Sequence, residues 1–138
     1  MTPLQFALTQ YGTKEIAGLL HNAEVVKYFK GIGQAWVKDD ETAWCAAFVN
    51  WCLKQSGRTY LNTLNARSFL NYASSTTKPK LGDIVILWRY AKVSPYGHVG
   101  FYINENANEI FILGGNQANE VNISRFPKTQ LLDYRTVS

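Results

Sequence analysis

The sequence predicts an α+β fold, with a helical N-terminal half packed on a C-terminal antiparallel β-sheet. Three observations lead there. Up to about Tyr72, apolar residues recur at helical spacing behind residues that cap helices. From Ile84 onward they fall in short runs, rich in β-branched side chains and separated by turn residues. The 138 residues are 46% hydrophobic and 17% charged, which suits one soluble domain with its own core. Ser74 to Lys80 is a Ser/Thr/Lys/Pro loop between the halves, too short for a domain boundary. Residues 1–138 therefore read as a single domain without repeats.

Thr2 and Pro3 open the first helix, as cap and first helical residue, and it is expected to run to about Tyr11 before Gly12 ends it. Leu4, Ala7, Leu8 and Tyr11 form its apolar stripe. Lys14 to Leu20 reads as a second short helical piece. Asn22 caps a third helix, Ala23 to Lys30, with Val25, Val26 and Phe29 inward. Trp36 to Glu41 is a connection ending in Asp39, Asp40 and Glu41. These acids complement a helix start, or one of them, Glu41, orders a catalytic mouth. A further short helix is expected around Ala66 to Tyr72. Strands follow at Ile84 to Trp88, Gly97 to Ile103, Glu109 to Leu113, Val121 to Ile123 and Leu131 to Thr136. Arg89 to Tyr96 is a loop, and Asn104 to Asn108 closes a hairpin.

The net charge of +4 (pI near 9.1) comes from scattered basic residues, with no Lys/Arg run. Mild attraction to anionic polymers follows; a nucleic-acid partner does not. No segment approaches the ~20 apolar residues that span a bilayer, so no membrane insertion is expected. The N-terminus lacks the basic and apolar regions of a signal peptide. The expectation is synthesis in the cytoplasm, with release or non-classical export if the site of action is outside. The two cysteines, Cys45 and Cys52, sit two helical turns apart. Their Cα atoms would be roughly 10 Å apart, too far for a disulfide. With His21 and His98 they lack the spacing of zinc ligands, so neither metal nor cofactor is expected.

Trp44 to Leu53 is an apolar stretch that reads as a buried helix with Thr42 as its cap and Ser56-Gly57 as its stop. Cys45 then falls in the first turn, at the third helical position. Unpaired amides and the helix dipole favour a thiolate there, and such a cysteine would alkylate quickly near neutral pH. Cys52 reads as a small buried apolar residue. A cysteine nucleophile needs a base, and the base an orienting group. His98 begins a strand between Gly97 and Gly100, placed for chemistry or for a satisfied core position. A tight hairpin pairs residues whose numbers sum to about 213, bringing His98 level with Gly115. A bulge at Gly114-Gly115 would bring round Asn116 or Gln117, and geometry does not choose between them.

Cys45 at a helix start, Gly82-Asp83-Ile84-Val85, Gly97-His98-Val99-Gly100-Phe101-Tyr102 and Leu113-Gly114-Gly115-Asn116-Gln117 occur in that order. Together they resemble the CHAP and NlpC/P60 group of papain-like cysteine hydrolases, closest to a small phage-lysin-like subfamily. Asp40 to Cys45 and Asn22 to Lys30 also fit that subfamily. The resemblance implies a papain-like fold and hydrolysis of peptidoglycan peptides, as an amidase or an endopeptidase. It matches Cys45 to the nucleophile, His98 to the base and Asn116 to the residue that orients the histidine. Many CHAP members carry a Glu two positions before that Asn, where this chain has Gly114, and the third His usual in NlpC/P60 members is absent.

The chemistry implied is attack by Cys45 on an amide carbonyl, proton transfer by His98 and hydrolysis of a thioester. Trp44, Arg89, Tyr96 and Gln117 are candidates to line the cleft, with Arg89 meeting a stem-peptide carboxylate. The expected partner is peptidoglycan, and the expected state is a monomer. Two other readings share the scaffold. One is a module that binds wall peptides or a partner without cutting; the other is a secreted amidase toxin with an immunity protein.

Overall fold

The structure, a computed structural model, describes residues 1–14, 23–33 and 44–137. The expected helix from Lys14 to Leu20, Asn22, His21, the acids Asp39 to Glu41 and the Thr42 cap lie outside the described residues, apart from Lys14 itself. Three described helices form the N-terminal half: α1 (Pro3–Thr9), α2 (Ala23–Gly31) and α3 (Trp44–Gln55). A 3-10 helix, Ala66–Asn71, precedes six strands: β1 (Ser75–Thr76), β2 (Ile84–Trp88), β3 (Gly97–Glu105), β4 (Glu109–Gln117), β5 (Glu120–Pro127) and β6 (Leu131–Arg135). They form one antiparallel sheet in the order β1-β6-β2-β3-β4-β5. The α+β expectation holds.

Local chemistry sets the boundaries. Thr2 Oγ1 accepts from Gln5 N while Gln5 Oε1 accepts from Thr2 N, a reciprocal capping box that starts α1. That helix stops at Thr9, short of Tyr11. Leu4 and Ala7 are buried as expected, but Leu8, inside the helix, and Tyr11, beyond its end, are 48% and 57% exposed. At the far end of α3, Gly57 N donates to Lys54 O and Arg58 N to Leu53 O, the paired bonds of a Schellman stop.

In the sheet, alternate residues face opposite layers. Ile84, Ile86, Val99, Phe101 and Leu113 face the helices and share one core with α1, α2 and α3. Val85, Leu87, Tyr102, Ile110, Ile112 and Tyr134 form a second apolar cluster on the other face. The expected loop at Ser74 to Lys80 contributes β1, which pairs Ser75 with Arg135 and Thr76 with Tyr134. In the β3–β4 hairpin, Phe101 pairs with Leu113, so residue numbers sum to 214 rather than 213; past an irregularity at Tyr102/Asn104 the sum is 215.

Two features of that register shape the site. Pairing between β3 and β4 ends at Phe101–Leu113, whereas β2 pairs all of Gly97 to Phe101. The start of β3 is thus open on its β4 side. On the other side of β4, pairing with β5 slips between Gly114 and Gln117, which is the expected bulge, with Asn116 in left-handed backbone at φ 57°. Gly115 lets α3 approach this bulge: an added Cβ would lie 2.9 Å from Phe48 Cβ and from the Trp44 ring.

Candidate active site

Cys45 lies in the first turn of α3 and is 1% exposed; the described helix begins at Trp44, which makes Cys45 its second residue. The helix carries it to the open start of β3. There the amide of Val99, the residue after His98, favours a charged Cys45 sulfur, as do the amides of Ala46 and Cys45 itself. Burial outweighs them. It pushes the thiol up from its ordinary value despite those amides and the positive Arg89. The expected thiolate at rest is therefore corrected: the helix start contributes in the expected direction, and loss of water around the sulfur overrides it. Cys52 is a second free, fully buried thiol, also pushed up by burial, inside the core.

His98 is 7% exposed. Its register partner Leu87 belongs to the cluster facing away from the helices, and its ring lies 5.2 Å from that of Phe126. Histidine and cysteine thus reach the start of β3 from opposite faces of the sheet. Burial pushes His98 down to about 4, against the hydrogen bond it makes to Gln117 Oε1, which raises it; the Arg89 charge adds to the lowering. Near neutral pH the pair is thiol and neutral imidazole.

The residue bonded to the histidine is Gln117: its Oε1 lies 2.9 Å from His98 Nε2. The Gln117 amide nitrogen faces only acceptors, Ile112 O at 3.1 Å, Asn122 O at 2.9 Å and Asn122 Oδ1 at 2.9 Å. Its NH2 must point there, so its oxygen must point at the ring. An amide oxygen only accepts, so Nε2 carries the proton and donates. In the neutral ring, Nδ1 is then the lone-pair nitrogen. Asn122 is itself fixed, donating to Gln117 O at 3.0 Å and accepting from Ser124 Oγ at 2.6 Å.

The side chain at this atom is therefore Gln117 and not the expected Asn116. The bulge supplies the physical reason: it takes up Gly115 and Asn116 and turns Gln117 onto the histidine's face. Gly114 completes the arrangement. A Cβ there would sit 2.5 Å from Gln117 Oε1 and 3.5 Å from His98 Nε2, so the carboxamide fills the space into which a side chain at 114 would project.

Among the other candidates, Trp44 is fully buried, stacked on Tyr28 at 6.1 Å, and belongs to the core rather than to a cleft. Arg89, Asn116 and Gln117 line a cleft of about 540 Å³ that also touches His98 and Phe126. Tyr96, 51% exposed, packs edge-on against Tyr90, which lines that cleft. Asp83 closes the turn before β2, accepting from Lys80 N at 2.8 Å.

Sequence reasoning missed Asn122, Ser124, Phe126 and Arg67. Arg67, in the 3-10 helix, donates to three carbonyls of the loop from Arg89 to Tyr96: Tyr96 at 2.8 Å, Lys92 at 2.9 Å and Ala91 at 3.1 Å. No local pattern betrays a partner so distant in sequence. Arg67→Ala is expected to cost roughly 1–3 kcal/mol and to lower kcat/KM about tenfold by loosening the loop. Arg67→Lys should restore little, because one ammonium does not span the three carbonyls. Thermal melts and turnover rates check both; an Arg67→Ala variant indistinguishable from wild type would contradict the bracing role.

The buried histidine has a consequence for stability. Between pH 6.5 and 4 the unfolded chain binds a proton at His98 that the folded chain refuses, so stability falls as pH drops through that window. The loss is about 3 kcal/mol in full. Melting wild type and His98→Gln at pH 7 and 4.5 should show a larger acid-induced drop in wild type; equal drops would contradict a buried neutral His98.

The model of the CHAP domain family matches residues 37–116, more than half of the chain and a span that holds Cys45, His98 and Asn116. No curated protein matches the chain. With its helical part, its antiparallel sheet and this match, the chain belongs to the CHAP domain family, whose members are generally hydrolases acting on peptidoglycan.

Proposed function

We propose that this protein is a cysteine-dependent amidase or endopeptidase of peptidoglycan, with Cys45 as nucleophile, His98 as base and Gln117 holding the imidazole. The observation that carries this reading is the bond between His98 Nε2 and a Gln117 carboxamide whose orientation its own backbone partners dictate. A core histidine needs only a partner. A base needs its second nitrogen left as an acceptor, and this arrangement leaves it so.

Starting from the neutral pair, His98 Nδ1 takes the thiol proton as Sγ bonds to the scissile carbonyl carbon. The oxyanion forms beside the Cys45 backbone N–H at the helix start. As the C–N bond breaks, the imidazolium gives its proton to the departing amine, leaving a thioester on Cys45. His98 then takes a proton from water as the water oxygen attacks the thioester, and returns it to the leaving sulfur. A carboxylic acid is released and the thiol restored. Throughout, Nε2–H remains on Gln117, which prevents the ring from turning its protonated nitrogen to the sulfur.

Acid quenching during turnover, followed by mass spectrometry of the digested protein, tests this directly. An acyl adduct on the Cys45 peptide, of muramyl mass for an amidase or of wall-peptide mass for an endopeptidase, and absent from His98→Ala, is expected. Turnover with the label on another residue, or with none under single-turnover conditions, would contradict covalent catalysis by Cys45.

A further inference from the structure

The cleft beside His98 has one cation with no anion among the described residues. Arg89 lines it, and among the described residues no carboxylate pairs with its guanidinium. The second arginine on the lining, Arg125, already faces Glu109 at 3.6 Å. The Arg89 backbone is held on two sides, and its guanidinium rests on a neighbouring ring. Its amide donates to Tyr96 O at 3.2 Å and its carbonyl accepts from Ser94 Oγ at 2.5 Å. Its guanidinium lies 5.2 Å from the centre of the Tyr90 ring. Tyr90 itself adopts φ 68°, unusual for a bulky side chain, and packs against Tyr96. Backbone strain of that kind persists where the surroundings over-determine it. A guanidinium on the Tyr90 ring, with no carboxylate partner among the described residues and Phe126 on the same cleft wall, is suited to bind a carboxylate on a peptide.

The cleft's position says which half of the substrate that is. His98 and Gln117 line it; Cys45 does not. In an acyl transfer to sulfur, the acyl half stays on the cysteine, and the amine half departs past the imidazole that protonates it. We propose that this cleft is the leaving-amine subsite and that Arg89 grips a carboxylate on the departing peptide. The substrate is then a peptide amide whose amine half carries a free carboxylate near the scissile nitrogen. A bond whose amine half lacks one, such as a plain glycine bridge, is a poor substrate. This assignment rests on the cysteine–histidine reading above.

The test uses the full chain on purified peptidoglycan, native and after carbodiimide-coupled amidation of its carboxylates with ammonia. Wild type is expected to cut the amidated wall at least about tenfold more slowly. Arg89→Gln should be slow on both walls, with rates within about twofold of each other, and Arg89→Lys should keep part of the discrimination. Newly freed amines, labelled with fluorodinitrobenzene and identified by mass, should lie within about two residues of a carboxylate in the native wall. Equal rates of wild type on the two walls, or new amines on carboxylate-free fragments, would overturn the subsite. If that cutting still vanished in Cys45→Ala, the subsite alone would have failed and the hydrolase would stand. If Cys45→Ala cut as well as wild type, the hydrolase reading would fail and the subsite with it.

Discussion

Cys45→Ala is expected to lower peptidoglycan turnover by at least about a thousandfold while changing stability by only about 1 kcal/mol. The asymmetry follows from where the sulfur sits. Cys45 occupies the mouth of α3, against the amides of Val99 and Ala46, and contributes one buried atom to packing. Cys52 lies two turns deeper on the same helix, fully enclosed by the core. Cys52→Ala should carry a similar stability cost of about 1 kcal/mol but keep turnover within about twofold of wild type. Urea unfolding establishes that both variants fold, and kcat/KM on purified wall separates the two. Equal loss of activity in both variants, with both folded, would remove the distinction on which the mechanism depends.

Gln117→Ala carries the second large effect. Truncation removes the acceptor for His98 Nε2–H and the donor that satisfies Ile112 O and Asn122 O. A loss of roughly 1–3 kcal/mol in stability is expected, with turnover down roughly a hundredfold as the ring loses its fixed tautomer. Gln117→Glu is no conservative change here. A carboxylate would set an oxygen against those two carbonyls, so this variant should be destabilised at neutral pH and recover as acid protonates it. Asn116 is best probed with glycine, since alanine at φ 57° adds strain of its own. Asn116→Gly is expected to retain more kcat/KM than Gln117→Ala, and the opposite order would return the orienting role to Asn116.

That reversal shows where the sequence stops being legible. The helix carrying Cys45, the strand opening on His98 and the apolar run of β2 are written in local pattern: a buried stretch with a Gly stop, a histidine between glycines, a continuous β-branched run. These recover the α+β architecture and the placement of Cys45 at the mouth of α3 against Val99, the residue after His98. The choice between Asn116 and Gln117 depends on one residue of register. A hairpin sum of 214 instead of 213, plus the slip between Gly114 and Gln117, decides which side chain faces the ring. Neither is set by residues near the site alone, because Trp44 and Phe48 on α3 press against Gly115 and help fix the bulge. Trp44 misled for a related reason: adjacency to a nucleophile in sequence places a side chain about a third of a turn away on a helix, here into the core. The charge state of the pair was equally hidden, since the helix start is visible in sequence and the burial that overrides it is not.

The most direct measurement is digestion of purified peptidoglycan by wild type beside Cys45→Ala, with released fragments identified by mass spectrometry. Wild type alone should release fragments, each cut exposing one new amine and one new carboxylate, and their masses assign amidase or endopeptidase cleavage. Release by Cys45→Ala at the wild-type rate, or no release by either protein from walls of several chemistries, would contradict a cysteine-dependent wall hydrolase.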